Sequence, residues 1–469
     1  MSDGAGRPEV GAQSSVPSSV PSSVPSSVGV IGLGYVGLPV AVAAARSGLR
    51  VVAFDVNAAL VAALSSGRSH VVDVTDADLA SVADAVTWTD VAQPLSEVDV
   101  IVICVPSPLG RQRQPDTSYL EAAARTIADV ARAGQTIILE STTYPGSTED
   151  LLLPAVTRAG LEVDRDVWVA FSPERIDPGN PLGLGAIPKV VGGVTAASGE
   201  RAAAFYRQIF DHVHVVSSAR AAELTKLLEN TYRSVNIALV NEMAQLARPL
   251  GIDIWEVIEA AATKPFGFQP FWPGPGVGGH CIPLDPQYLA WRAKEARTPT
   301  RFIDLAQQIN DAMPRWVVDR VVELLNDLGR PVRGASVLAV GVAYKPNVAD
   351  DRESPAWDVI GQLQALGANV AVLDPFVAAA RLDEHGVVAV ELGLGAGSGA
   401  GSGAGSGAGS GAGSGDGSGA EGEPYDLAIV LTDHDGIDYE EVARRATRVF
   451  DTRNAYRRRG LSTHRVVTL

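Results

Sequence analysis

Val28-Gly29-Val30-Ile31-Gly32-Leu33-Gly34-Tyr35-Val36-Gly37-Leu38-Pro39 and, after a helical stretch through Arg46, Arg50-Val51-Val52-Ala53-Phe54-Asp55 decide the fold. The first run is a short buried strand that breaks into a glycine turn. The second is a strand that ends on an acid. The glycines form G-x-G-x-x-G, and Asp55 lies 18 residues past the last of them. Gly32 makes the tight turn, Gly34 admits a pyrophosphate against backbone N–H groups at the helix N-terminus, and Gly37 permits close helix–strand packing. Asp55 suits the adenosine ribose 2′ and 3′ hydroxyls and repels a 2′-phosphate, which favours NAD over NADP. Strand, turn, helix and acid together predict a dinucleotide site.

Working outward, Asp99-Val100-Ile101-Val102-Ile103-Cys104-Val105-Pro106 and Thr136-Ile137-Ile138-Leu139-Glu140-Ser141-Thr142-Thr143 read as strands buried on both faces of a parallel sheet. Ligands of open α/β sheets bind at the carboxyl ends of strands, which makes Thr142 a candidate for contacting nicotinamide or a catalytic water. Cys104, inside its strand, reads as an inert core thiol. Phe171-Ser172-Pro173-Glu174-Arg175 opens a polar loop after strand Val167-Trp168-Val169-Ala170, where Glu174 taken alone is an ordinary loop acid.

Residues 221–248 predict a long helix without internal Gly or Pro. Leu224, Leu228, Val235 and Leu239 give it an apolar face, while Lys226, Asn230 and Arg233 share another that in isolation reads as solvated. A second strand–turn unit starts at residues 335–340 and turns through Gly341-Val342-Ala343-Tyr344-Lys345-Pro346. Ser354 is placed as N-cap and Pro355 as first residue of the next helix, and strands follow at 369–375 and 426–432. The fold class is therefore α/β, with two Rossmann-like doubly wound domains joined by a central helical segment. The expected limits are a disordered leader at 1–27, a dinucleotide-binding Rossmann domain at 28–215, a central helical domain at 216–328, and a C-terminal Rossmann-like domain at 329–469. A Gly-Ala-Gly-Ser low-complexity insert at 393–423 is expected to form an extended, disordered surface loop.

With 46% apolar and 20% charged residues, the 469-residue chain can bury substantial cores. A net charge of −16 disfavours nonspecific nucleic-acid binding. Two cysteines exclude a disulfide framework and suit a reduced, cytoplasmic protein. No apolar run predicts a transmembrane helix or a secretory signal, and no metal site is expected.

One of those cysteines carries the chemical signal. Cys281 sits in Pro273-Gly274-Pro275-Gly276-Val277-Gly278-Gly279-His280-Cys281-Ile282-Pro283-Leu284-Asp285. Glycines allow φ > 0 and close approach of a ligand, so a cysteine here, with His280 beside it and Asp285 four residues on, reads as a nucleophile.

This set of motifs resembles the UDP-glucose/GDP-mannose dehydrogenase family from about Gly29 to Arg453. The resemblance is carried by Gly32–Gly37, Glu140-Ser141-Thr142, Pro173-Glu174, Lys226 with Asn230, Gly276 through Cys281, Asp285, Lys345, Arg352-Glu353-Ser354 and Phe450-Asp451-Thr452-Arg453. Ser141-Thr142-Thr143-Tyr144-Pro145-Gly146 and Thr263-Lys264-Pro265-Phe266-Gly267-Phe268-Gln269-Pro270-Phe271 look like the branch that oxidises UDP-N-acetylglucosamine. UDP-glucose dehydrogenases usually place a Lys immediately before the Asp, where this chain has Leu284.

The resemblance implies NAD-dependent, four-electron oxidation of a sugar C6 alcohol to a carboxylate. UDP-N-acetyl-D-glucosamine is the first substrate choice. UDP-N-acetylmannosamine, UDP-N-acetylgalactosamine and UDP-glucose are the alternatives, and a noncatalytic nucleotide-sugar binder is the rival of another class. In this reading Cys281 forms a thiohemiacetal and then a thioester. Lys226 and Asp285, with a water, take the hydroxyl proton, Lys226 and Asn230 hold oxyanion character, and Thr142, Glu174 and Asp285 place the hydrolytic water. Gly32, Gly34, Tyr35, Val36, Gly37, Asp55, Val105, Pro106, Thr142 and Arg352 are the implied NAD contacts. Glu174, Arg175, Lys226, Asn230, Phe268, Gly276, Lys345 and Arg453 are the implied sugar and diphosphate contacts. Phe266, Phe268, Phe271 and Trp272 either shape an N-acetyl site or line the core. The resemblance further implies that 28–215 binds NAD, that 216–328 is a dimerisation and active-site domain whose long helix makes a homodimer or higher homo-oligomer, and that 329–469 binds the UDP-sugar.

Overall fold

The computed structural model describes residues 24–71, 73–110, 114–175, 184–279, 281–390 and 424–469. Most of the leader, the low-complexity insert, residues 176–183 and His280 lie outside the described residues.

Two sheets organise the chain. The first runs β3 (Val86–Thr89), β2 (Arg50–Phe54), β1 (Ser27–Ile31), β4 (Val100–Ile103), β5 (Thr136–Leu139), β6 (Trp168–Phe171), β7 (Lys189–Gly193) and β8 (Val213–Val216). Every pairing in it is parallel except β6–β7, which is antiparallel. The second sheet runs β11 (Val388–Ala389), β10 (Asn369–Leu373), β9 (Ser336–Val340), β12 (Tyr425–Val430), β13 (Ala446–Asp451) and β14 (Val466–Thr468), parallel throughout. Apolar clusters cover both faces of each sheet, as the continuous apolar runs of β1, β4, β5 and β12 require. Between the sheets lie the long helix Ala219–Ala247, the cysteine helix Cys281–Glu295 and the helix Arg301–Asp327. This is the doubly wound α/β architecture expected, with its central helical segment.

The two units share one turn device. Gly32 has φ of +89° and Gly341 of +79°, values that glycine adopts without steric cost. The next residue's N–H then donates to an acid at the end of the neighbouring strand, Leu33 to Asp55 at 2.9 Å and Val342 to Asp374 at 2.7 Å.

The long helix reverses one expectation. It starts at Ala219, capped by Ser218, and it packs its polar side inward. Lys226, Asn230 and Asn241 are buried, while Leu224, Leu228 and Leu239 are exposed and Val235 is half-buried. Arg233 does remain exposed. The cause is the cysteine helix, which packs on the Lys226 face and brings polar partners to it.

Candidate active site

The cofactor turn is built as the glycine pattern requires. A Cβ on Gly37 would lie 1.8 Å from the Gly32 carbonyl oxygen, so only glycine lets the nucleotide helix Gly37–Arg46 start this close to β1. A Cβ on Gly34 would meet no protein atom within 4 Å. That side of the turn is open, as a pyrophosphate lying on the backbone needs. Asp55 is half-buried and spends one carboxylate oxygen on Leu33 N and the other on Asn57 N. Its counterpart Asp374 accepts from the backbone N–H groups of Val342, Ala343, Phe376 and Val377 and lies 3.1 Å from buried His434 Nε2. The C-terminal acid is saturated from within the protein, whereas each Asp55 oxygen accepts from one backbone N–H and keeps a lone pair, so the acid of the first unit is the one that suits a ribose.

The carboxyl ends of β4 and β5 form the floor next to this turn. Ser141 Oγ donates to Val105 O at 2.8 Å, which ties the Val105-Pro106 segment to the half-buried Thr142. Tyr35, exposed on the glycine turn, carries the Arg352 guanidinium over its ring at 5.1 Å. Arg352 belongs to the C-terminal domain and is ion-paired with Asp350. This cation–π contact brings the second domain onto the cofactor turn.

Glu223 gathers the loop after β5. It lies fully buried one turn before Lys226 and accepts from Gly146 N (2.5 Å), Ser147 Oγ (2.9 Å), Thr148 N (2.9 Å) and Thr148 Oγ1 (2.7 Å). Tyr144 of this loop packs with Leu227 of the long helix and Tyr288 of the cysteine helix. The Tyr288 hydroxyl donates to Ser107 O at 2.8 Å. Sequence reasoning missed Glu223, whose only signal was an acid in the first turns of a helix.

Cys281 is exposed and is the first residue of its helix. Pro283 and Pro286 hid this helix in the sequence; Pro283 lies in the first turn, where an N–H has no intrahelical partner to lose, while Pro286 lies inside the helix. One turn in, Asp285 is buried and accepts from Asn230 Nδ2. Burial drives the Asp285 pKa up, against the nearby Lys226 charge and the Asn230 amide, to about 6. The structure thus brings Lys226, Asn230 and Asp285 into one buried group on two facing helices, with the thiol one helical turn from Asp285.

The glycines before Cys281 serve packing more than ligand access. Added Cβ atoms would meet Pro355 Cβ at 2.8 Å from Gly276, the Glu353 carbonyl oxygen at 2.8 Å from Gly278, and the Tyr344 ring at 2.8 Å from Gly279. The cysteine loop is seated on the C-terminal domain, close to the turn that carries half-buried Lys345. Arg453 reaches the start of the same loop. Its Nη1 lies 2.5 Å from where a Gly274 Cβ would be, and its Nε donates to Leu431 O at 2.8 Å. Asn241 Oδ1 holds Gly274 N at 3.0 Å.

Other candidates are placed less centrally. Glu174 is buried, not the ordinary loop acid it looked in isolation, and Lys189 Nζ stands 3.4 Å away. Arg175 sets its fork on Glu229 and its remaining nitrogen on Pro188 O. Phe266, Phe268 and Trp272 are exposed, and Phe271 packs edge-on to Tyr232. Cys104 is buried, and burial with Glu140 alongside pushes its thiol well above the usual range, as an inert thiol requires. Among the described residues no cluster has the make-up of a metal site, and no helix is long and apolar enough to cross a membrane.

The chain is similar to known proteins along most of its length. Residues 26–210 match the NAD binding domain of the UDP-glucose/GDP-mannose dehydrogenase family, residues 220–312 its central domain and residues 338–458 its UDP binding domain. The chain is 37% identical over 367 residues to a UDP-N-acetyl-D-glucosamine 6-dehydrogenase of Pseudomonas aeruginosa, covering 77% of this chain and 86% of that one. It is also 37% identical over 354 residues to a UDP-N-acetyl-D-mannosamine dehydrogenase of Pyrococcus horikoshii, covering 75% and 84%. A solved structure of a UDP-D-ManNAc dehydrogenase from Pyrococcus horikoshii superposes with a TM-score of 0.78 at 31% identity, covering 92% of this chain and 96% of that one. The chain belongs to the UDP-glucose/GDP-mannose dehydrogenase family and is an NAD-binding nucleotide-sugar dehydrogenase of that family.

Proposed function

We propose that the protein oxidises the C6 alcohol of a UDP-N-acetylhexosamine to the carboxylate, with UDP-N-acetyl-D-glucosamine as substrate and Cys281 as the covalent nucleophile. The observation that carries this reading is the buried Lys226–Asn230–Asp285 group one helical turn from an exposed thiol. Bound NAD, held by Gly32–Gly37, Asp55 and the Val105-Pro106 segment, supplies the hydride acceptor for each of two oxidations.

The rest is the work of side chains. Asp285, ionised above about pH 6, takes the hydroxyl proton through a water as the C6–H electron pair leaves. A thiol at a helix N-terminus meets the positive end of the helix dipole, which favours its thiolate. The Cys281 sulfur bonds to the aldehyde carbon and retains it, while Lys226 and Asn230 hold the oxyanion. Loss of a second hydride and the hydroxyl proton leaves a thioester. Water, placed by Thr142, Glu174 and Asp285, bonds to the acyl carbon, and the carbon–sulfur bond breaks with its electron pair on Cys281. Lys345 and Arg453 are assigned to the diphosphate and sugar oxygens, with Arg175, Phe268 and Gly276 at the rim.

Support for the substrate comes from the Ser141–Gly146 and Thr263–Phe271 motifs, from Leu284 where UDP-glucose dehydrogenases usually have Lys, and from the name of the Pseudomonas aeruginosa relative. The test is absorbance at the NADH band with purified protein, NAD and a panel of UDP-sugars. Two NADH per UDP-N-acetyl-D-glucosamine is the expected result. Turnover with another UDP-sugar alone would move the substrate assignment. No turnover with any sugar would leave a nucleotide-sugar binder. The exposed Leu224, Leu228, Leu239 and Leu246 on the long helix support a homodimer packed there, which light scattering of the purified protein tests.

A further inference from the structure

We propose that Lys189 is a positioning residue that holds Glu174 in place for hydrolysis of the Cys281 thioester. The inference rests on the acyl-enzyme reading of this site.

The argument begins with topology. β7 runs antiparallel to β6, so its first residue lies at the carboxyl ends of β5 and β6, where Thr142 and Glu174 are. That residue is Lys189, 2% exposed, followed by Val190 and Val191 in an otherwise apolar strand. An ammonium here loses its hydration, and an apolar side chain would fill the site at no such cost. Two carboxylates account for the lysine. Its Nζ pairs with Glu140 Oε1 and lies 3.4 Å from Glu174 Oε2. Burial opposes the charge, but the carboxylates outweigh it and hold the Lys189 pKa above the ordinary lysine value. Cys104 Sγ donates to the other Glu140 oxygen at 3.3 Å, and the rings of Tyr206 and Phe210 wall the ammonium at 5.1 and 5.2 Å.

Three consecutive residues grip the Glu174 segment. Pro188 O accepts from Arg175 Nη1 at 2.7 Å, Lys189 faces Glu174, and Val190 O accepts from Ser172 Oγ at 2.8 Å. Arg175 is fixed on its far side by Glu229 of the long helix, and its backbone N–H donates to Glu174 Oε1 at 2.6 Å. Without the ammonium, Glu140 and Glu174 would face each other as like charges in a buried space. Repulsion or protonation would then take the Glu174 oxygen away from the water it orients. Hydride transfer, which relies on Lys226, Asn230 and Asp285, would keep its geometry.

The test is single-turnover kinetics with rapid quenching and intact-mass detection of acylated Cys281, on wild type, Lys189→Met, Lys189→Arg and Glu140→Gln. In Lys189→Met the acyl enzyme should accumulate with hydrolysis at least about tenfold slower, while hydride transfer and the sugar KM change less than about threefold. Lys189→Arg should restore hydrolysis, and Glu140→Gln, which leaves Lys189 to Glu174, should stay within about threefold of wild type. If Lys189→Met does not fold, Lys189→Gln takes its place. Equal slowing of both steps with a lower Tm, or unslowed hydrolysis, would overturn the assignment. A wild type that turns over without ever acylating Cys281 would instead refute the acyl-enzyme reading itself.

Discussion

Asn230 donates its side-chain amide to the Asp285 carboxylate across two facing helices, inside the protein. This one bond joins the long helix to the helix that begins at Cys281. It also partly offsets the burial that would otherwise drive Asp285 further toward its neutral form, and leaves the acid with a pKa of about 6.

The rate should therefore depend on pH through Asp285. With its pKa at about 6, the group is a carboxylate above that value and a neutral acid below it. Oxidation should fall as the pH drops through 6. Asn230→Ala removes a hydrogen bond to the charged form, so the acidic limb should move upward by about one unit. A pH–rate profile of both proteins checks this, and an unmoved limb would show that Asp285 is not the base.

The same group leaves a mark on stability. A carboxyl whose folded pKa is raised binds more protons folded than unfolded, so stability falls as pH rises from about 4 to 6. From the usual 3.8 to about 6, the loss is roughly 3 kcal/mol at 1.36 kcal/mol per unit. Asp285→Asn should flatten that part of the urea-derived stability curve while abolishing turnover. A curve that keeps its slope in the variant would place the titrating group elsewhere.

Cys281→Ser tests the covalent step. Net uronate formation should stop, because a serine hydroxyl stays un-ionised near neutral pH and is a far weaker nucleophile than a thiolate, and its alkoxide is a poorer leaving group. UDP-sugar binding, measured by calorimetry, should stay within about threefold of wild type. Uronate made at the normal rate would remove Cys281 from the mechanism.

Gly34→Ala separates cofactor contact from folding. The added Cβ meets no protein atom within 4 Å, so Tm should not move. It would occupy the open side of the turn, and KM for NAD should rise about tenfold or more. A fall in Tm with unchanged KM would mean the open side is not the pyrophosphate's.

Where local chemistry was decisive, the sequence was legible. The Gly32 turn, the acid after β2, the Ser354 cap with Pro355 behind it, and strands β1, β2, β4, β5, β6, β9, β10 and β12 follow from steric and burial rules over a few residues. β7 and its antiparallel sense were not legible, because strand direction depends on a partner distant in the chain, and Lys189 owes its place to that direction. The helix at Cys281 was hidden by two prolines.

By itself the sequence determined the two nucleotide-type units and the dinucleotide turn, and it singled out Cys281 as the candidate nucleophile, since glycine conformations and residue chemistry are local properties. Only the tertiary structure decided which face of the long helix turns inward. Periodicity defines two stripes but does not rank them. Lys226 and Asn230 of the polar stripe are buried because a second helix brings Asp285 to them, and the leucine stripe is left outside. Tertiary contacts also decided which unit keeps an open acid, because the Asp374 oxygens are filled by backbone N–H groups and by His434 from a strand end far along the chain.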